Sequence, residues 1–298
     1  MAESHILIYV PWIEGGDLMN LRHVAKGLMD LNHSLTLAID GRTDEVQRIL
    51  HKEDPDLLAN THQLNAYAAN GKFRGGSEPN AIRKLLLESG ADTVFVNMLD
   101  TFISSTLRRA AVGIDPPAEL KGTLGGHYSR PKWFAPEYAG PNSWLKRRGF
   151  ARLSAAGWFG SLLVPNEYDT ADLQQAFPET HFVFMPEPGQ KPVVSRAEAR
   201  RHFNLPDDAI VLLNYGVGHR RKGLHLVTEA MRRVDSPRLF LFPAGRHTKN
   251  QSARDEAREL EKQGRALVLD RYITGEEEAM CFRGCDFVLT PYLSHYGS

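Results

Sequence analysis

Short apolar runs rich in branched residues alternate along this chain with stretches that have the period of a helix. The run HILIYV, at 5–10, is followed by a loop and an amphipathic stretch that extends to about Leu31, and then by a second apolar run, HSLTLAID. Apolar runs of this length indicate buried strands, and the stretch between them indicates a helix. We therefore expect the chain to open with a strand, a helix and a second strand parallel to the first.

The alternation continues beyond this unit with two interruptions. Residues 52–80 are polar with weak periodicity, and residues 128–142 are rich in Pro, Gly and aromatic residues, so both segments predict irregular structure. Elsewhere the pattern predicts helices at AIRKLLLESG, FISSTLRRAA and YDTADLQQAF, and strands at DTVFVNM, ELKGTLG, GSLLVP and HFVFMP.

The segment PEPGQKPVVS, at 186–195, is the predicted linker between two domains. A chain of 298 residues is long for a single core, and the prolines here continue neither a helix nor a strand. We expect an N-terminal domain at 1–188 and a C-terminal domain at 196–298. The second domain is predicted to hold strands at AIVLLNY, RLFLFPA, RALVLDRY and DFVLTPY and helices at 223–234, 252–263 and 275–284.

Strands that alternate with helices predict two α/β domains, each with a parallel sheet covered by helices. Ligands of such sheets bind beyond the carboxyl ends of the strands. If the two domains face each other, a cleft is expected between Gly15–Asp17 on one side and Gly216–Gly223 on the other.

Composition and charge exclude several classes of function. Lys plus Arg and Asp plus Glu each number 36, so the chain has no net positive charge that would attract nucleic acid. We therefore expect no nucleic-acid partner. Cys281 and Cys285 make no disulfide framework and predict small buried side chains, because no pattern of metal ligands surrounds them. No apolar run has membrane-spanning length and the first residues lack the basic region of a signal peptide, so the expected location is the cytoplasm.

The stretch NYGVGHRRKG, at 214–223, places a cationic turn between a predicted strand and a predicted helix. Gly216 and Gly218 permit tight turns, and Gly223 precedes a helix whose free N–H groups attract anions. Three further residues, Arg220, Arg221 and Lys222, add full positive charges. The turn therefore predicts a phosphate or diphosphate site, with a solvated basic loop as the alternative.

The same stretch, read as G-x-x-x-x-x-K-G between a strand and a helix, resembles the donor-binding half of family 4 glycosyltransferases, which have the GT-B fold. The opening EGGDLMNLRHVAKGLMDLNHSLTLAI looks like the first strand–helix–strand unit of that family, with its Gly-Gly loop. Further similarities, in the same order along the chain, lie in FMPEPG, RLFLFPAG and VLDRYITGEEEAMCFRGCDFVLTPYLSHYGS.

This resemblance implies two Rossmann-like domains that face a cleft and transfer of a sugar from a nucleoside diphosphate sugar to an acceptor hydroxyl. It implies retention of configuration, no bound metal, no cofactor other than the donor substrate, and a carbohydrate or lipid-linked acceptor. The candidate catalytic residues are Lys222, Arg221 and His127. Donor-binding candidates are Gly216, Gly218, Arg220, Gly223, Arg246, Tyr272, Ile273 and His295, and acceptor-binding candidates are Gly15, Gly16 and Asp17.

Several of these candidates also have structural interpretations. His127, in KGTLGGHYSR, is either a strand-end residue near the sugar or a surface loop histidine. Gly15 and Gly16 would serve equally in a turn into a helix, and Asp17 would serve as an ordinary N-cap. Tyr272 and Ile273 either contact the base or belong to the core.

The chain departs from the family at three places. Val217 stands where the family usually has an arginine, and Arg220 or Arg221 would have to substitute. The family has two glutamates, one for the sugar and one for the ribose; the first aligns near His295 and the second lies beyond Ser298. We therefore expect the second domain to be incomplete at its C-terminus, and the activity of this chain stays open.

Other functions remain as alternatives. A non-catalytic module that binds a nucleotide sugar or a partner would fit the departures, and an epimerase of nucleotide sugars would share the fold. A dinucleotide oxidoreductase is disfavoured, because no G-x-G-x-x-G follows the first strand. Aromatic and basic residues are combined at Trp133, Phe134, Trp144 and Lys146–Arg148. This combination predicts loop packing, a surface for the acceptor, or weak peripheral contact with the inner face of a membrane. The oligomeric state stays open.

Overall fold

A computed structural model describes residues 4–10, 16–39, 50–52, 54–65, 78–129, 131, 133–134, 140–186, 193–234, 236–246 and 250–293, with the backbone alone at 16–19, 63–65 and 101–102. The described residues divide into two compact units, one up to Pro186 and one from Val193 onward.

The first unit is built on a parallel sheet. Its described strands are β1 (His5–Val10), β2 (Ser34–Ile39), β3 (His62–Asn65), β4 (Thr93–Val96), β5 (Leu124–His127), β6 (Phe159–Val164) and β7 (His181–Phe184). They lie in the order β3-β2-β1-β4-β5-β6-β7, and every neighbouring pair is parallel. Central strands of such a sheet are covered on both faces, which explains why β1 and β2 are nearly continuous apolar runs.

Helices cover this sheet. The described ones are α1 (Gly16–Asp30), α2 (Pro55–Ala59), α3 (Glu78–Ser89), α4 (Leu99–Ala111), α5 (Pro141–Ala155) and α6 (Glu167–Ala176), with a 3-10 turn at Ala118–Leu120. Alternate residues of β1 belong to different cores: Leu7 and Tyr9 pack with the helices on one face, and Ile8 and Val10 pack with those on the other. This separation follows from the two-residue period of a strand.

The pair α4 and α5 approaches closely at one glycine. A Cβ placed on Gly149 would overlap the carbonyl oxygen of Leu107, and it would lie 3.1 Å from the backbone nitrogen of Ala111. Only glycine allows the two backbones to lie this near to each other. Gly149 lowers the intrinsic helix preference of α5, but the close packing of α5 against α4 requires it.

The second unit has a smaller parallel sheet. Its strands are β8 (Ile210–Tyr215), β9 (Leu239–Ala244) and β10 (Phe287–Val288), in the order β10-β8-β9. The described helices are α7 (Arg196–Phe203), α8 (Leu224–Arg233), α9 (Gln251–Lys262) and α10 (Gly275–Gly284), with a 3-10 turn at Arg220–Lys222. The chain passes from β8 to β9 on one side of it and then crosses to β10 on the other side. The strand order therefore reverses between β8 and β10, which makes this position the switch point of the sheet.

A buried arginine joins three segments of this unit. Arg200, on α7, donates to the carbonyl oxygens of Gly284, Pro206, Asp207 and Ala209 and to the carboxylate of Asp286. Arg200 is only 3% exposed. The cost of burying its charge is offset because its guanidinium donates to four carbonyl oxygens and one carboxylate. It fixes the start of β10 beside α7.

Most of the sequence-derived elements are confirmed, including the opening strand, helix and strand and the helices α8, α9 and α10. The prediction of irregular structure was wrong in part: 52–80 contains α2 and β3, and the N-terminus of α5 lies within 128–142. Besides α2, the helices α5 and α7 were not predicted. Of the expected linker, the described residues are Pro186 and Val193–Ser195, and Ser195 caps α7 in a capping box with Glu198.

The predicted strand RALVLDRY was also wrong. Its residues make only isolated parallel bridges with β9, between Leu241 and Ala266 and between Ala244 and Leu269. The N–H groups of Leu267 and Leu269 do donate to β9. Between these bonds stands Pro243, which has no N–H to donate in return, so a continuous ladder is interrupted.

Candidate functional site

The cationic turn lies at the carboxyl end of β8, at the switch point between β8 and β10. Gly216 leaves the strand with φ of 106°, and its N–H donates to the carbonyl oxygen of Ala244 at the end of β9. Gly245, with φ of 133°, packs against Gly216 so closely that a Cβ on Gly245 would overlap the Gly216 carbonyl. Glycine is favoured at both positions because L side chains rarely adopt such angles.

The turn is then closed by local hydrogen bonds. The N–H of Gly218 donates to the carbonyl oxygen of Arg246 over 2.6 Å, and Nδ1 of His219 accepts from the N–H of Arg221 over 3.3 Å. Gly223 ends the 3-10 turn with φ of 73° and begins α8. The amino end of α8, which carries a partial positive charge, therefore follows Arg220, Arg221 and Lys222 after a single residue.

Lys222 reaches back over the end of β8. Its Nζ donates to the carbonyl oxygen of Tyr215 over 3.4 Å, and it fills the space where a side chain on Gly216 would stand. Arg220 is exposed, whereas Arg221 and Lys222 are half-buried. The amino end of α8 and the basic residues Arg220, Arg221 and Lys222 thus lie together at the carboxyl end of β8, an arrangement that suits a ligand with phosphate groups.

The layer beneath the turn is apolar. Burial raises the pKa of the Tyr215 phenol, with the nearby Glu278 carboxylate adding to the shift, and burial raises the pKa of the Cys281 thiol to about 12. Ile273 is buried in the same core as Cys281. Charges placed above such a layer interact more strongly than charges in water.

The other donor-side candidates belong to the same unit, and Arg246 lies just beyond the carboxyl end of β9. Arg246 is exposed after Gly245, and the half-buried Tyr272 precedes α10. Ile273 is 6% exposed, so it contributes to the core. His295 lies outside the described residues. The two cysteines have the predicted packing role, since Cys281 is fully buried and Cys285 packs against the same cluster.

In the first unit, His127 is the last residue of β5 and is 1% exposed, so its interpretation as a surface loop histidine was wrong. The amide nitrogen of Asn20, on α1, lies 3.4 Å from Nδ1 of the imidazole. The preceding glycines allow the strands to close in: a Cβ on Gly126 would overlap the carbonyl oxygen of Val96 on β4, and one on Gly125 would lie 2.9 Å from that of Ser161.

The acceptor-side candidates are only partly described. Gly15 lies outside the described residues, Gly16 is the first residue of α1, and Asp17 is described by its backbone within that helix. Asn20 and Tyr292 were not identified from the sequence. The only local signal for Asn20 is its position next to the buried Leu21.

The aromatic and basic residues divide between core and surface. Trp133 and Phe134 pack in the core with Phe177, as the loop-packing alternative predicted. Trp144, near the start of α5, is 59% exposed, and the Arg148 guanidinium lies 5.6 Å from its ring centre. In the described part of the chain, no helix combines the length and the apolar character needed to cross a bilayer, and no three His, Cys, Asp or Glu side chains are grouped as metal ligands would be.

No protein-family model matches this chain, and no curated protein matches it in sequence. Solved structures do resemble it. The HepE protein of Anabaena in complex with UDP and glucose is 14% identical with a TM-score of 0.63, and the match covers 99% of this chain and 76% of that one.

Two further structures resemble the chain at similar levels. A glycosyltransferase from Rickettsia africae is 12% identical with a TM-score of 0.60, over 99% of this chain and 75% of that one. A Listeria monocytogenes protein assigned as a UDP-N-acetylglucosamine 2-epimerase is 12% identical with a TM-score of 0.57, over 97% and 74%. At these identities the similarity concerns the fold: the chain has the α/β fold, with two Rossmann-like units, of the GT-B class.

Proposed function

We propose that this chain is a glycosyltransferase of the family 4 type, which moves a sugar from a nucleoside diphosphate sugar to an acceptor hydroxyl. The observation that carries the proposal is the convergence of Lys222, Arg221 and the amino end of α8 at the switch point beside β8. The fold supports it, since the structures that resemble the chain include one with bound UDP and glucose and one glycosyltransferase.

The cations act on the leaving group. When the bond between the sugar and the diphosphate breaks, its electron pair stays on the phosphate oxygen, so negative charge grows there. Lys222, Arg221 and the exposed Arg220 lie where this charge would be stabilised, together with helix N–H groups. Loss of one such group typically costs about 3 kcal/mol of transition-state stabilisation.

The remaining steps follow the family resemblance. The acceptor oxygen forms the new bond to the sugar on the face that the diphosphate leaves, so configuration is retained, and the acceptor proton passes to the departing phosphate oxygen. In this proposal the turn neutralises the diphosphate without a metal ion, and the donor substrate is the only cofactor-like molecule. His127 contacts a sugar hydroxyl, and Gly15, Gly16 and Asp17 lie on the acceptor side.

The acceptor is proposed to be a carbohydrate or a lipid-linked sugar on the cytoplasmic side of a membrane. The exposed Trp144 and the basic residues beside it on α5 support weak contact with such a membrane.

Titration calorimetry with UDP and GDP tests donor binding. Lys222→Ala should weaken binding by at least about tenfold, because hydrogen bonds to charged groups contribute about 1.5–3 kcal/mol. Lys262→Ala is the matched control: Lys262 lies at the end of α9 in the same unit, is exposed and pairs with Glu259, so its loss should leave binding unchanged. Equal binding by wild type and Lys222→Ala would contradict the assigned turn.

Incubation with UDP-glucose and UDP-N-acetylglucosamine then separates the alternatives. Release of UDP that depends on an added acceptor identifies a transferase. A changed sugar on an intact nucleotide without an acceptor identifies an epimerase. Saturable binding with neither reaction identifies a non-catalytic binding module and contradicts the proposal.

A further inference from the structure

Tyr292, four residues after β10, lies beside the cationic turn. The centre of its ring is 5.7 Å from the guanidinium carbon of Arg221 and also 5.7 Å from Nζ of Lys222. Both distances fall within the range in which a cation is attracted to the electron-rich face of an aromatic ring. One ring therefore contacts two of the three cations that the proposed function places on the diphosphate.

The position of Tyr292 is fixed by backbone contacts on both sides. The N–H of Leu293 donates to the carbonyl oxygen of Arg221 over 2.8 Å, and the side-chain amide of Asn214 donates to the carbonyl oxygen of Leu289 over 3.2 Å. Pro291 abuts Gly223 so closely that a Cβ on that glycine would overlap its carbonyl oxygen. These contacts do not involve the ring, so they should persist when the side chain at 292 is changed.

The ring can order the cations before the ligand arrives. Arg221 and Lys222 are adjacent in sequence and their like charges repel, so a group that attracts both of them narrows the set of rotamers that they share. The shared ring face attracts both charges and limits their freedom. A diphosphate that meets preordered cations loses less side-chain entropy on binding.

We propose that Tyr292 is a positioning residue, which holds Arg221 and Lys222 against its ring so that both point toward the diphosphate of the donor. The inference rests on the proposed function of the turn, and it deepens that function by naming the group that orients its charges.

Two substitutions at Tyr292 distinguish the contribution of its ring to UDP binding from the contributions of its hydroxyl group and its backbone. Tyr292→Phe keeps the ring face, and UDP should bind to it within about twofold of wild type. Tyr292→Leu keeps bulk but removes the ring, and UDP binding should weaken by roughly five- to tenfold. In a chain that already carries Arg221→Ala and Lys222→Ala, Tyr292→Leu should have no further effect, because the cations it positions are gone.

A readout without ligand distinguishes this inference from the proposed function. Reductive methylation with ¹³C-formaldehyde gives each lysine a dimethylammonium signal that keeps its charge, and Lys222→Arg identifies the signal of Lys222. That signal should be shifted by the ring in wild type and in Tyr292→Phe, and it should lose this ring-current shift in Tyr292→Leu.

The proposed function and the positioning role of Tyr292 fail on different results. If neither UDP nor GDP binds to wild type but the Lys222 signal behaves as expected, the proposed function fails and the positioning contact stands. If Tyr292→Leu binds UDP like wild type, or if the Phe and Leu variants lose affinity equally, the positioning role is overturned. Thermal unfolding of each variant establishes that the comparison is made on folded protein.

Discussion

The side-chain amide nitrogen of Asn20 lies 3.4 Å from Nδ1 of His127, and the two residues are 107 positions apart in the chain. Both are buried, at 5% and 1% exposure. An amide N–H donates, so Nδ1 is the acceptor in this arrangement, and we predict that the neutral imidazole carries its proton on Nε2. In that tautomer Nε2 is the nitrogen that can donate to a ligand.

We predict that Asn20→Asp reverses this preference. A carboxylate accepts only, so it would hold the proton on Nδ1 and leave Nε2 as the acceptor in the neutral ring. Nitrogen-15 spectra of histidine-labelled protein report the tautomer directly. Wild type should show the Nε2–H form at His127, Asn20→Ala a mixture, and Asn60→Ala, an exposed amide on the same unit, the wild-type spectrum. A wild-type Nδ1–H form would contradict the assignment.

Substitution by alanine should have opposite effects at Gly149, which lies at the contact between α4 and α5, and at Gly27, which lies on α1. Gly149→Ala should destabilise the first unit by about 2 kcal/mol or more, because its Cβ would overlap the carbonyl oxygen of Leu107. Gly27→Ala, within α1, should stabilise it by up to about 1 kcal/mol, because nothing lies within 4 Å and alanine favours a helix. Denaturant unfolding measures both, and equal effects would contradict the close packing of α4 and α5.

Asp286 predicts a loss of stability in acid. Burial pushes its pKa up, but the N–H of Val211 and the guanidinium groups of Arg196 and Arg200 outweigh burial, and the pKa is lowered. A lowered folded-state pKa stabilises the fold fully above the unfolded value of 3.8, and this contribution is lost as pH falls through the folded-state pKa. Asp286→Asn should therefore cost roughly 3 kcal/mol at pH 7, and this cost should shrink as pH falls through the folded-state pKa.

The control for this prediction is Asp208→Asn, which changes an exposed carboxylate of the same unit. It should alter the free energy of unfolding by less than about 0.5 kcal/mol at pH 7. A difference between wild type and Asp286→Asn that stays constant from pH 7 down to pH 2.5 would show that the charge of Asp286 contributes nothing.

Gly216→Ala tests the link between the backbone of the turn and Lys222. The new methyl group would occupy the space of the Lys222 ammonium group, which can move aside because it ends a flexible chain. We expect the protein to fold with a loss of about 1–2 kcal/mol from the strained φ, and to bind UDP at least several-fold more weakly. Gly264→Ala carries a similar strain, at φ of 72° with nothing within 4 Å, and should leave UDP binding unchanged.

The helix α5 shows why part of the fold was not predicted. Its sequence, PNSWLKRRGFARLSA, lacks a clear apolar face and has a glycine in its interior, so local preference argues against a helix. Packing against α4 decides otherwise, since Gly149 is needed at the contact. By contrast α7 could have been predicted, because Ser195 and Glu198 form the capping-box pattern three residues apart.

The sequence alone determined the α/β class, most strands and helices, the boundary region near Pro186 and the cationic turn at 214–223. These depend on side-chain period and on backbone preferences of glycine and proline, which act between near neighbours in the chain. Only the tertiary structure decided that Tyr292 lies over Arg221 and Lys222 and that Asn20 reaches His127. Strand order brings these residues together across long stretches of chain, and no local pattern encodes such contacts.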